Sequence, residues 1–207
     1  WALDTGRLEW KETIAGGAKL VALDLETGQV VKNIVFDESV VKPDSYLNDV
    51  RFDLTRGKEG LAFITDSSSA GHNGIIVVDL ATGEARRRLN AHPSTLAVPR
   101  FLPTVEGRPL MNRPAGGIPS HISIGSDGIA IGPDGQTLYY SSLAGRNLYS
   151  VGIDDLTKKM AKKLDKLVAN TNGGTGITVD KVLDTIYPAK GLGLNRTSGD
   201  DNLRGGG

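Results

Sequence analysis

Two turns of one design stand 55 residues apart in this chain, and that repeat limits the fold more than any other feature. The first is Asp24-Leu25-Glu26-Thr27-Gly28 and the second is Asp79-Leu80-Ala81-Thr82-Gly83. Each follows an apolar run, Lys19–Leu25 or Ile75–Leu80, and leads into another, Gln29–Val35 or Glu84–Leu89. Runs rich in β-branched residues and bounded by Asp, Thr and Gly read as strands joined by tight turns. A shorter run precedes each unit, Trp1–Thr5 and Phe63–Ser67, and a third copy follows at Thr137–Ser141 and Asn147–Val151. A strand-rich repeat of about 40–55 residues is the signature of propeller blades. One such blade cannot bury both of its faces, so neighbours must stack around an axis.

A second phase of the repeat lies just ahead of these strands. Asn48-Asp49-Val50-Arg51-Phe52-Asp53 leads to Leu61–Thr65, and Asp127-Gly128-Ile129-Ala130-Ile131 leads to Thr137–Tyr140. Gly174–Asp180 leads weakly to Asp184–Tyr187, with Thr175 where an acidic residue is expected. Each copy opens with a polar pair and continues as an inner strand. The first strand of a propeller blade lines the central channel, so these polar openings are expected to converge on the axis.

The reading is therefore an all-β chain holding three to four blades. A partial propeller spans 1–190, with blade parts at about 1–36, 46–90, 124–153 and 174–188. Residues 91–123 form a long loop rich in Pro and Gly, either a binding loop or a solvated connector. Residues 155–170 form a helical insertion, with Leu156, Met160, Leu164 and Leu167 on one face and Thr157 as N-cap. Its lysines read as a solvated face. The polar, Gly-rich segment 191–207 reads as a disordered tail. The front, starting mid-strand at Trp1, reads as cut from a longer chain.

Composition removes several classes. There is no cysteine, hence no disulfide, thiolate site or cysteine nucleophile. Lys+Arg and Asp+Glu are equal at 24 each, so no global field draws the chain to nucleic acid or an anionic membrane. No apolar run approaches the roughly 20 residues that span a bilayer. Ser67, Ser68 and Ser69 lack a Gly-x-Ser-x-Gly setting. His72, His92 and His121 lack metal-ligand spacing.

At Asp44–Asp53, Phe63–Ser67 and Ile75–Leu80 the chain resembles the Yellow/major royal jelly protein family. Trp1–Gly6, His92–Thr95, Glu106–Leu110, Asp127–Ala130 and Leu138–Tyr140 match in the same order. The style is closer to the microbial branch than to the insect one. The resemblance implies a six-bladed propeller, which at about 50 residues per blade needs on the order of 300 residues. On that expectation the chain is part of a longer protein, or the ring closes by self-association. It also implies an extracytoplasmic or secreted location and a small organic ligand in an axial pocket. More distantly, the openings are similar to those of gluconolactonase-type propellers, where such pairs surround a divalent metal.

Asn48, Asp49 and Asp127 are the leading site candidates, as openings of successive inner strands. Their oxygens can meet a polar ligand or a cation such as Ca²⁺ at Asn48 and Asp127, or they can cap their own strands. Asp66 either faces the channel or caps a turn, and His121 on the long loop either reaches the channel mouth or packs elsewhere. Trp1, Tyr46, Phe52 and Phe101 can wall a pocket or serve the core. Three functions follow: a non-catalytic binder; a metal-dependent lactonase-like hydrolase or pigment-pathway isomerase; and a structural or nutritive secreted protein.

Overall fold

The computed structural model describes residues 1–9, 11–158 and the backbone of 169–170. The expected fourth blade part at 174–188, Thr175, the tail and most of the helical insertion lie outside the described residues.

Three antiparallel sheets carry the structure. The first contains β1 (Ala2–Thr5), β2 (Ala18–Leu23) and β3 (Val30–Val35). The second contains β4 (Leu47–Asp53), β5 (Leu61–Asp66), β6 (Gly74–Asp79) and β7 (Ala85–Arg88). Two ribbons of two-residue strands, β8 (Thr104–Val105) with β9 (Arg108–Pro109) and β10 (Met111–Asn112) with β11 (Ser120–His121), punctuate the long loop. The third sheet contains β12 (Ser126–Ile131), β13 (Thr137–Ser142), β14 (Leu148–Gly152) and β15 (Ala169–Asn170). In every sheet consecutive strands pair in sequence order.

Burial explains which runs alternate and which do not. Along β2 buried and less buried residues alternate, because one face of the first sheet meets the second. All six residues of β5 are buried. That is the mark of a strand covered on both faces, and it is why Leu61–Thr65 reads as a continuous apolar run. Ala62 and Ile64 pack with Leu20, Ile34, Ile76 and Val78 against the first sheet. Leu61 and Phe63 pack with Ile75, Leu138, Tyr140 and Val151 toward the third. Each large side chain so buried contributes roughly 1.5–3 kcal/mol.

The two related turns are built from the same bonds. Asp24 Oδ1 accepts from the amides of Glu26 and Thr27, and Asp79 Oδ1 from those of Ala81 and Thr82. The amides of Gly28 and Gly83 close back on Asp24 O and Asp79 O, both at 2.8 Å. Both glycines hold positive φ, 69° and 76°.

Long side chains staple one sheet to the next. Lys32 on β3 reaches Glu59 at 2.7 Å and Ala81 O at 3.1 Å in the second sheet's turns. Arg56, in the β4–β5 turn, reaches Asp53 at 2.9 Å, Gly135 O and Gln136 Oε1 at 2.8 Å, and Asp154 at 2.5 Å. Arg88 donates to Leu156 O and Lys158 O, both at 2.8 Å, and so holds the end of helix α1 (Ile153–Thr157).

α1 is a short helix that ends at Thr157, and the rest of the expected helical insertion at 155–170 lies outside the described residues. Gly152 is the N-cap, and Thr157 is the last helical residue, donating to Asp154 O at 2.9 Å. Ile153 and Leu156, one turn apart, are both fully buried in the core between the second and third sheets. Their burial draws the helix to begin right after β14. No helix among the described residues is long and apolar enough to cross a membrane.

Candidate functional site

The openings of β4 and β12 are distorted in the same way. Leu47 pairs with Asp66 and Val50 with Ile64, so β4 carries one residue more than its partner across Asn48-Asp49. Ser126 pairs with Ser142 and Ile129 with Tyr140, so β12 carries one more across Asp127-Gly128. Each polar pair is thus a β-bulge, a device that re-aims side chains at a strand end. β12 packs against both β4 and β5, so the two bulges are neighbours.

There Asn48 Nδ2 donates to Asp127 Oδ1. Ser67 Oγ lies 3.5 Å from the same oxygen and donates to Ser126 O at 2.6 Å. Thr65 Oγ1 accepts from the Asp49 amide at 3.2 Å and donates to Asp127 O at 2.9 Å. Asp49 lies 3.7 Å from Arg51 on its own strand. Burial, and then the neighbouring Asp49 carboxylate, push the Asp127 carboxyl above the usual carboxylate range; the bonds from Ser67 and Asn48 oppose the rise. Asn48 is exposed and Asp49 and Asp127 are partly so, which leaves the cluster open to a solute.

The other candidates sit elsewhere. Asp66 is fully buried and accepts from Ser45 Oγ, from the amides of Tyr46 at 2.9 Å and Ser68 at 3.1 Å, and from Arg87 at 2.8 Å. It binds the β3–β4 connection, its own turn and β7 together. Strand parity separates it from the site: Asp66 shares the face of Ile64, toward the first sheet, while Thr65 and Ser67 share the face of Phe63, toward β12. His121 is exposed on β11, paired with Met111. Trp1 stacks on Phe52 with centroids 6.0 Å apart, and Arg146 covers Phe101 at 5.3 Å.

Two clefts open away from Asn48 and Asp127. One, of about 520 Å³, lies between Arg56, Arg86 and Asp154. The other, of about 370 Å³, lies between Ile14, Phe36 and Val41.

A divalent cation tests poorly against the donors present. Ca²⁺ takes roughly six to eight oxygens. Asn48 and Asp127 do not supply that shell, and among the described residues no three or more His, Cys, Asp or Glu side chains gather to hold a metal.

Sequence comparison decides the family. The model for the major royal jelly protein matches residues 1–177. The chain belongs to the major royal jelly protein family. Its fold is accordingly a β-propeller, and the three sheets among the described residues are blades of it. No curated protein matches the chain significantly. In this member of the family the third, second and first sheets meet along β12, β4, β5 and β1. This brings the polar openings of the second and third blades into direct contact. Thr65 and Ser67 are the site residues that sequence reading missed. Their signal was parity: hydroxyls at alternate positions continue the face that Leu61 and Phe63 turn toward the next blade.

Proposed function

We propose that this major royal jelly family protein binds a small polar or aromatic organic ligand at the joined openings of its inner strands, without converting it. Asn48, Asp49 and Asp127 make the polar contacts. In this reading it acts outside the cytoplasm, as the family resemblance implies. The observation that carries the reading is the bond from Asn48 to Asp127 between successive blades. It supports a shared cluster rather than separate strand caps. The cluster is open, and it offers an amide and two carboxylates, one partly desolvated. Such convergent polar groups fix a ligand's orientation.

The test is calorimetric titration of the protein against a panel of small aromatic and polar organic compounds, repeated with Asp127→Asn and Asn48→Ala. Binders that lose on the order of tenfold affinity or more in both variants support the reading. Binders unaffected by either variant, or a panel without binders, reject it. Recovery of the ligand unchanged after long incubation separates binding from turnover.

A further inference from the structure

We infer that Thr65 is the positioning residue that sets the spacing between the polar openings of two successive blades. The inference rests on the reading of Asn48, Asp49 and Asp127 as a binding cluster.

The reasoning starts from what a bulge costs. An extra residue in one strand leaves backbone groups outside the ladder. The bulge on β4 spans the Asp49 amide, and that on β12 the Asp127 carbonyl. Backbone groups left unpaired away from water are destabilising. Thr65 deals with both. A hydroxyl has one donor and two acceptor sites. An amide can only donate and a carbonyl can only accept, so the Thr65 hydroxyl is oriented without ambiguity. It takes the Asp49 N–H at 3.2 Å and gives its own hydrogen to Asp127 O at 2.9 Å. Thr65 itself is fully buried, and β-branching limits its χ1 freedom. One rigid side chain therefore ties the bulge of one blade to the bulge of the next.

Ser67 adds a second rung two residues on, with its hydroxyl on Ser126 O at 2.6 Å. Consecutive carbonyls of a regular strand point opposite ways. Here Ser126 O and Asp127 O both meet hydroxyls from one face of the second blade, which requires the β12 bulge. The two hydroxyls thus hold Asp127 at a fixed distance from Asn48 and Asp49. The shape a ligand must match is set from beneath, by residues that do not touch it.

The experiment reads the electrostatic coupling between Asp49 and Asp127, which depends on their spacing. The Asp127 carboxyl is followed by carbon-13 NMR across acidic pH in wild type, Asp49→Asn, Thr65→Val and the double variant. In wild type, Asp49→Asn lowers the Asp127 midpoint. In the Thr65→Val background that lowering shrinks to near zero, and Thr65→Ser restores it. A role limited to stability would lower the melting temperature of Thr65→Val yet leave the coupling intact, and that result overturns the inference. A measurement on wild type holds even if Thr65→Val fails to fold. The Asp49 amide exchanges its hydrogen on the order of tenfold or more slowly than an exposed amide, because Thr65 accepts it. Fast exchange there also overturns the inference. Neither readout uses a ligand, so absence of binding would reject the proposed function without touching the clamp.

Discussion

Asn48 donates its amide hydrogen to Asp127 across the junction of two blades, 79 residues away along the chain. The contact exists because both strands begin with a bulge at the same place. It joins an exposed amide to a carboxyl that burial and Asp49 together make reluctant to ionise.

The sign of that reluctance gives a pH prediction. Asp127 has a folded pKa above its unfolded value. Its contribution to stability is therefore full below the unfolded value and is lost as pH rises through the folded one. Asp127→Asn removes this penalty along with the repulsion from Asp49. The variant is expected to melt on the order of 2 °C above wild type at pH 7. The difference should vanish near pH 3, where Asp127 is protonated in both states. Calorimetric scans across that range check it, and a gain that persists at pH 3 refutes it.

Asp66 and Arg87 give a stability prediction of another kind. Their side chains are almost wholly inaccessible, 0% and 6% exposed, and meet at 2.8 Å. Arg87 also donates to Val40 O at 2.8 Å and to Asn90 at 2.6 Å. Arg87→Met leaves a buried carboxylate without its cation and is expected to cost about 3–5 kcal/mol. Adding Asp66→Asn should recover part of the loss, because the uncompensated charge is gone. Urea unfolding of both variants decides between this and a merely steric defect, in which the second substitution recovers nothing.

Arg56 makes a prediction about how blades are joined. Its guanidinium serves Asp53, Asp154, Gly135 O and Gln136 at once. Arg56→Lys keeps the charge and loses the fork, and is expected to cost on the order of 1–3 kcal/mol in urea unfolding. Asp53 has its own pH signature. Burial raises its pKa, but the bonds from Thr55 and the charge and bond of Arg56 outweigh it, and the net value is lowered. Its stabilisation is present above the unfolded pKa and is lost as pH falls through the folded one. Wild type and Asp53→Asn should therefore converge in stability at strongly acidic pH. A gap that stays constant with pH would contradict this.

Much of this fold was legible because its signals are local. The Asp-to-Gly turns, the apolar runs of β5 and β6 and the polar openings of β4 and β12 are each written in a few adjacent residues. Strand parity was equally available, but it matters only once the neighbour on each face is known. That is why Asp66 was singled out while Thr65 and Ser67, on the face turned to β12, were not. Helix α1 was hidden for a related reason. It is drawn by the burial of Ile153 and Leu156 against the core, and burial is a property of the assembled sheets. The short ribbons within 91–123 have too few residues to show a period at all.

The repeat itself can be put to a physical test at its two glycines. Gly28 and Gly83 close turns with the same bonds and nearly the same φ. A Cβ on Gly28 meets nothing within 4 Å, and one on Gly83 meets only Ile34, at 3.7 Å. Neither substitution adds a clash, so the cost of alanine is conformational in both. Gly28→Ala and Gly83→Ala are expected to destabilise by about 1 kcal/mol each. The turns are on different blades and share no partner, so the double variant should cost about the sum. Urea midpoints of the three variants provide the measurement. A cost at Gly83 several times that at Gly28 would mean that the two turns, alike in sequence and bonding, are not energetic equivalents.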